Sequence, residues 1–115
     1  MKNREIKFRA WHLDDGMLYF DFDTFKKDYH NQYGNVMQFT GLYSTQGAEI
    51  YEGDIVMINH WKSTDLFDYK NPFVVEYYEG EINFKQGEYN NFKGSLSGKL
   101  DIEIIGNIYE NPELL

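Results

Sequence analysis

Two carboxylates separated by one glycine, Glu52 and Asp54, are the residues whose type and spacing come nearest to a chemical site. Carboxylate oxygens bind hard cations, but no histidine or third carboxylate lies at ligand spacing beside this pair. Gly53 can adopt a positive φ at low steric cost, and Asp54 can accept a hydrogen bond from a nearby backbone N–H. The pattern therefore favours a tight turn before the β-branched run that begins at Ile55.

The other titratable residues form no catalytic pattern. Glu76 and Glu81 flank a predicted hairpin turn, and two such carboxylates would suit a hydrolase only in a pocket that shifts their pKa values. His12, His30 and His60 are isolated in the sequence, and the chain contains no cysteine. No nucleophile is thus paired with a base. The sequence predicts no catalytic, cofactor or metal site, and a protein that is not an enzyme.

The net charge of −8 is concentrated in the second half of the chain. Residues 1–50 carry six basic and seven acidic side chains, whereas residues 51–115 carry five basic and twelve acidic ones. Such a surface repels a phosphate backbone, so direct nucleic-acid binding is not expected. Nucleic-acid association stays open as an alternative if the basic side chains of the first half share one face. Those side chains are Arg4, Lys7, Arg9, Lys26 and Lys27.

The composition is that of one folded domain. Apolar residues make up 42% of the chain, close to the average for globular proteins. No apolar run reaches the roughly 18 residues that span a bilayer, and the basic N-terminus lacks the apolar region of a signal peptide. We expect a cytoplasmic protein with no membrane contact.

Alternating apolar and polar side chains predict short antiparallel strands along most of the chain. The first strand should place Ala10 on an apolar face and Arg9 on a solvated one, and Asp14-Asp15-Gly16 should form the following hairpin turn. The predicted strands cover residues 4–11, 17–22, 36–43, 50–51, 54–61, 73–78, 81–84 and 99–105. The fold class is mostly β, a small antiparallel barrel.

The remaining segments are predicted as connections. Residues 23–34 are polar and aromatic without clear periodicity, which indicates a loop or at most one short helix. Residues 62–72 form a loop, and residues 85–98 form a loop or an irregular hairpin. Gly106 is expected to break the last strand. The tail ends in two leucines, which must pack on the barrel or on another subunit.

Four pieces of the sequence carry a resemblance to a known family. They read REIKFRAW, VMQFTGL, EIYEGDIV and IIGNIYENPELL, in this order, and they bracket residues 4–115. Together they resemble the YopX family of phage and prophage proteins. The resemblance implies an SH3-like barrel roll for residues 51–115, with residues 1–50 as an N-terminal β extension packed on it. It also implies the cytoplasm of a bacterial host, and it assigns no catalytic residue or cofactor.

The function predicted from these observations is a non-enzymatic protein-interaction module. SH3-like barrels often bind peptides or partner chains between their loops, which is an argument from fold analogy. The candidate contact residues are Trp61, Phe67, Tyr69, Tyr77 and Tyr78. We expect a homo-oligomer, because aromatics and the leucine tail are exposed, with a host or phage protein as a further partner. The alternative function is nucleic-acid association, or an acidic DNA mimic that acts on a host DNA-binding protein.

Overall fold

The computed structural model describes residues 6–21, 23, 35–59, 71–78, 81–87, 90–93 and 101–115. These ranges consist of antiparallel strands and end in a short 3₁₀ helix, Pro112–Leu114. The strands are β1 (Lys7–His12), β2 (Gly16–Asp21), β3 (Val36–Tyr43), β4 (Glu49–Tyr51), β5 (Asp54–Asn59), β6 (Phe73–Tyr78), β7 (Glu81–Gln86), β8 (Asn90–Lys93) and β9 (Asp101–Asn107). The predicted fold class, mostly β with antiparallel pairing, is confirmed. Within these ranges no helix is long and apolar enough to cross a membrane.

The first four strands form one sheet, in the order β2-β1-β3-β4. The predicted turn after β1 is present, and Gly16 follows it with a φ of +80°. Ala10 is fully buried, as the alternation predicts. The prediction that Arg9 lies on a solvated face is wrong, because its guanidinium reaches across to the buried carboxylate of Asp54 at the start of β5.

The other five strands form a second sheet, in the order β8-β7-β6-β5-β9. It packs around an apolar cluster to which β4 of the first sheet also contributes. The buried members of this cluster are Ile50, Val56, Ile58, Phe73, Val75, Phe84 and Ile102. The two sheets therefore share one core, and the predicted division into residues 1–50 and 51–115 stays a prediction.

Backbone hydrogen bonds join the two sheets at their turns. In the turn between β3 and β4, the Thr45 N–H donates to the Ile102 carbonyl on β9 (2.8 Å), and its hydroxyl accepts from the Ile102 N–H (3.1 Å). In the turn between β4 and β5, the Gly53 N–H donates to the Val75 carbonyl on β6 (2.8 Å). These bonds place the turn at residues 52–53 where both sheets meet.

The structure differs from the predicted elements near the end of the chain. β7 extends two residues beyond its predicted end, to Gln86, and pairs with β8, so the hairpin is the one of the two predictions for residues 85–98 that the structure bears out. The prediction that Gly106 breaks the last strand is wrong, since β9 runs through it to Asn107. Gly106 lies opposite Ile55 while Ile104 lies opposite Val56, which leaves one extra residue in β9 as a bulge.

Candidate functional site

The Asp54 carboxylate lies at the junction of the two sheets. Its Oδ1 accepts a hydrogen bond from Arg9 Nη2 (2.7 Å), and its Oδ2 accepts one from the Tyr51 N–H (2.8 Å). Arg9 Nη2 also donates to the Glu52 carbonyl (3.1 Å). Both side chains of this ion pair are almost fully buried. The predicted role of Asp54 in a turn is confirmed, and Arg9 is a partner that the prediction missed.

Burial raises the pKa of the Asp54 carboxyl above its ordinary value, while the Arg9 guanidinium and the Tyr51 N–H oppose that shift. The ring of Tyr51 covers the guanidinium, with 4.8 Å between the Arg9 Cζ and the ring centroid. Burial and the neighbouring Glu49 carboxylate raise the pKa of Tyr51 as well. The cluster is a structural joint in which both Asp54 oxygens accept a hydrogen bond from the protein, while the buried Arg9 Nε has no hydrogen-bond partner among the described residues.

The remaining carboxylate of the motif also serves the fold. Glu52 Oε1 accepts a hydrogen bond from the Gln38 N–H (2.8 Å), while the Glu52 N–H donates to the Gln38 carbonyl (3.0 Å). Glu52 thereby continues the pairing of β3 past the end of β4. Among the described residues, no group of three or more His, Asp or Glu side chains is placed to hold a metal ion. The pair Glu52 and Asp54 thus acts in local structure.

The C-terminal motif forms a second structural joint. The Asn107 Oδ1 accepts hydrogen bonds from the N–H groups of Tyr109 (3.0 Å) and Glu110 (2.9 Å). The Asn111 Oδ1 accepts from the Asn107 N–H (3.2 Å). A Cβ at Gly106 would lie 2.5 Å from the Asn111 Oδ1, so only glycine leaves room for this side chain. The joint turns the chain so that Leu114 and Leu115 lie beside β6.

A concave surface of the described residues lies between this tail and the outer face of the second sheet. We call it the tail groove. It has a volume of about 660 Å³ and is lined by Pro72, Val74, Glu76, Lys85, Leu114 and Leu115, among others. Its apolar wall is formed by the tail and Val74, and Leu115 is 64% exposed. Glu76 and Lys85 form an ion pair at 3.9 Å across its floor, and both side chains are partly exposed.

The sequence-predicted contact residues fall largely outside this groove or outside the described residues. Tyr77 is half-buried, and its hydroxyl donates to the Phe39 carbonyl (3.4 Å), which ties β6 to β3. Tyr78 ends β6, and only its backbone is described. Trp61, Phe67 and Tyr69 lie in residues 60–70, which are outside the described ranges. The predicted contact role of all five stays a prediction.

Within the described ranges, the other candidate residues do not assemble into a reactive site. β6 and β7 pair so that Glu76 lies opposite Asn83 while Glu81 lies opposite Tyr78, and the two carboxylates are therefore not a cross-strand pair. His12 Nδ1 accepts a hydrogen bond from the Asp15 N–H (3.2 Å) within the first hairpin turn. His30 and His60 lie outside the described ranges.

The structure describes two of the five basic side chains that could share one basic face. Both are paired with carboxylates. Lys7 forms an ion pair with Glu49, and Arg9 is buried against Asp54. Arg4, Lys26 and Lys27 lie outside the described ranges.

The tail groove could be found from the sequence only in part. The prediction that two terminal leucines must pack somewhere pointed to the tail. The residues that complete the groove, above all Val74 and Lys85, gave no signal, because an outward-facing strand position looks the same whether or not a tail lies over it.

The model of the family described as YopX protein matches residues 18–115. Of the four resembling pieces, residues 4–11 lie before the matched range, yet β1 supplies Arg9 to the joint with Asp54. No curated protein matches the chain.

Proposed function

The chain belongs to the YopX family, and on that premise we propose that it is a non-enzymatic interaction module that associates with a second copy of itself through the tail groove. We propose further that it is encoded by a phage or prophage and works in the cytoplasm of the host. The observation that carries the proposal is the tail groove, an apolar concave surface next to an exposed leucine.

The chemistry of the groove suits a second copy of the chain. Each copy supplies both a groove and a projecting Leu115, and a two-fold interface uses the same patch on both partners. Glu76 and Lys85 lie in the groove as opposite charges, so a two-fold axis can bring the Glu76 of one copy towards the Lys85 of the other. This local neutrality offsets the repulsion expected between two chains of net charge −8.

The carboxylates that could have supported catalysis have other partners. Asp54 is bound to Arg9 and the Tyr51 N–H, and Glu52 is bound to the Gln38 N–H. Glu76 is paired with Lys85. These contacts support an interaction role for the groove over acid–base chemistry at these residues.

Two exposed leucines allow a matched test. Leu115 lines the groove, whereas Leu13 lies in the first hairpin turn and is 90% exposed. Leu115→Glu places a charge in the proposed interface, and Leu13→Glu makes the same change away from it. We expect the wild-type protein and Leu13→Glu to be dimers by light scattering coupled to size exclusion. Leu115→Glu should weaken the dimer by at least about ten-fold, since a buried unpaired charge is strongly unfavourable.

Circular dichroism of both variants checks that the fold is kept. A monomeric wild-type protein at all concentrations would exclude self-association. A Leu115→Glu dimer as tight as the wild type would show that the copies meet elsewhere. Recovery of a different bacterial protein by the wild type and Leu13→Glu, but not by Leu115→Glu, would assign the groove to that partner instead.

A further inference from the structure

A second concave surface lies on the first sheet, away from the tail groove. We call it the tyrosine pocket. It has a volume of about 250 Å³ and is lined by Lys7, Tyr19, Phe20, Asp21, Glu49 and Tyr51. The proposed self-association leaves this pocket unassigned.

Tyr51 forms a rigid floor for the pocket. Its side chain is buried, and its ring lies over the Arg9 guanidinium. The edge-on ring of Tyr19 packs against it at 5.5 Å between centroids, and the Tyr51 hydroxyl donates to Glu49 Oε1 (3.2 Å). Tyr19 itself is 61% exposed, so one aromatic ring stays open to solvent above the buried ring of Tyr51. A partner that packs on Tyr19 therefore meets a preorganised surface.

The surroundings of the pocket already hold positive charge. The Lys7 Nζ lies 5.7 Å from the centroid of the Phe39 ring and forms an ion pair with Glu49. The Arg9 Cζ lies 4.8 Å from the centroid of the Tyr51 ring. Aromatic faces attract cations, and carboxylates strengthen that attraction when they stand beside the ring. The pocket combines the same kinds of group, since Tyr19, Asp21 and Glu49 line it together.

We propose that the tyrosine pocket binds an arginine side chain of a basic partner protein. The planar guanidinium can stack on the exposed ring of Tyr19 and donate hydrogen bonds to Glu49, in part by displacing Lys7. A lysine fits less well, because its ammonium neither stacks nor donates in a fork. The net charge of −8 draws such a partner towards the protein.

The test uses a short probe and the full chain. An acetylated and amidated Gly-Arg-Gly peptide is titrated into the protein while the ring resonances of the tyrosines are followed by NMR. We expect saturable shifts of Tyr19 and Tyr51, with weaker binding of the Gly-Lys-Gly peptide and none of the Gly-Gly-Gly peptide. Tyr19→Ala should lower the affinity by about three-fold or more, since it removes the open ring. The substituted side chain is mostly exposed, so the fold should persist.

Two further variants separate the pocket from general electrostatic attraction. Lys7→Met frees Glu49 from its internal partner and should raise the affinity for the arginine peptide. Glu103→Gln removes one exposed carboxylate from β9, in the other sheet, and should leave the affinity unchanged. Unchanged affinity in Tyr19→Ala, a fall in affinity in Lys7→Met, or a loss of affinity in Glu103→Gln would each overturn the proposal.

Discussion

Replacement of Arg9 by methionine tests the joint between the two sheets most directly. Methionine keeps much of the apolar stem of arginine but removes the guanidinium. The variant loses the hydrogen bonds from Arg9 Nη2 to Asp54 Oδ1 and to the Glu52 carbonyl. It also loses the contact between the guanidinium and the Tyr51 ring. Asp54 then remains buried with the Tyr51 N–H as its described partner.

The expected loss is large because neither charge reaches solvent. The side chains of Arg9 and Asp54 are 5% and 3% exposed. Removing one member of such a buried pair costs about 3–5 kcal/mol, since the other charge is left uncompensated. A domain of this size has a free energy of unfolding of roughly 5–15 kcal/mol, so Arg9→Met should lose a large share of it. The double variant Arg9→Met/Asp54→Asn removes both charges, and it should recover about 1–3 kcal/mol of that loss.

The stability of Arg9→Met relative to the wild type should depend on pH. Burial raises the pKa of Asp54 in the folded protein, and Arg9 lowers it, so Arg9→Met should raise the pKa further. A carboxyl whose pKa is higher in the folded than in the unfolded protein holds its proton more tightly in the folded state. Stability therefore rises as the pH falls through the interval between the two pKa values. The difference in stability between the wild type and Arg9→Met should shrink on acidification.

The measurement is urea unfolding, followed by circular dichroism, of the wild type, Arg9→Met and the double variant at about pH 7 and about pH 5. If Arg9→Met lowers the free energy of unfolding by less than about 1 kcal/mol at about pH 7, the buried pair does not hold the two sheets together. A loss equal at both pH values would refute the titration of Asp54 as its cause. If the double variant is no more stable than Arg9→Met, the loss of stability comes from the lost packing of arginine and not from the uncompensated charge of Asp54.

Two glycine substitutions test the close contacts at the other turns. Gly53→Ala should destabilise the protein by more than about 1 kcal/mol, because the residue has a φ of +84° and its Cβ would lie 2.8 Å from the Met37 sulfur. Gly47 has a similar positive φ (+86°), but an added Cβ there would have no atom within 4 Å. Gly47→Ala should therefore lose less stability in thermal melting. A loss equal to that of Gly53→Ala would assign the effect to the backbone conformation alone. Gly106→Ala should cost about 1–3 kcal/mol through its clash with Asn111. Hydrogen exchange should then show faster exchange of the amide of Asn111, and unchanged exchange there would contradict the proposed contact.

The sequence by itself determined the local pairings. Alternation predicted the strands, and Asp14-Asp15-Gly16 predicted the first turn, because side-chain period and turn chemistry are properties of neighbouring residues. The role of Asp54 in its own turn was likewise predictable, because the N–H that donates a hydrogen bond to it belongs to Tyr51, three residues away. A cysteine-based site could be excluded from the composition alone, because the chain contains no cysteine.

Only the tertiary structure decided which polar residues are buried. Arg9 alternates like a solvated residue, and it is buried because a carboxylate 45 positions later lies above it. Gly106 looks like a strand breaker, and it is needed because Asn111 folds back onto it. The tail groove and the tyrosine pocket likewise join residues far apart in the chain. Periodicity records which way a side chain points from its own strand, whereas burial and charge pairing depend on what packs over it, and that is a property of the folded whole.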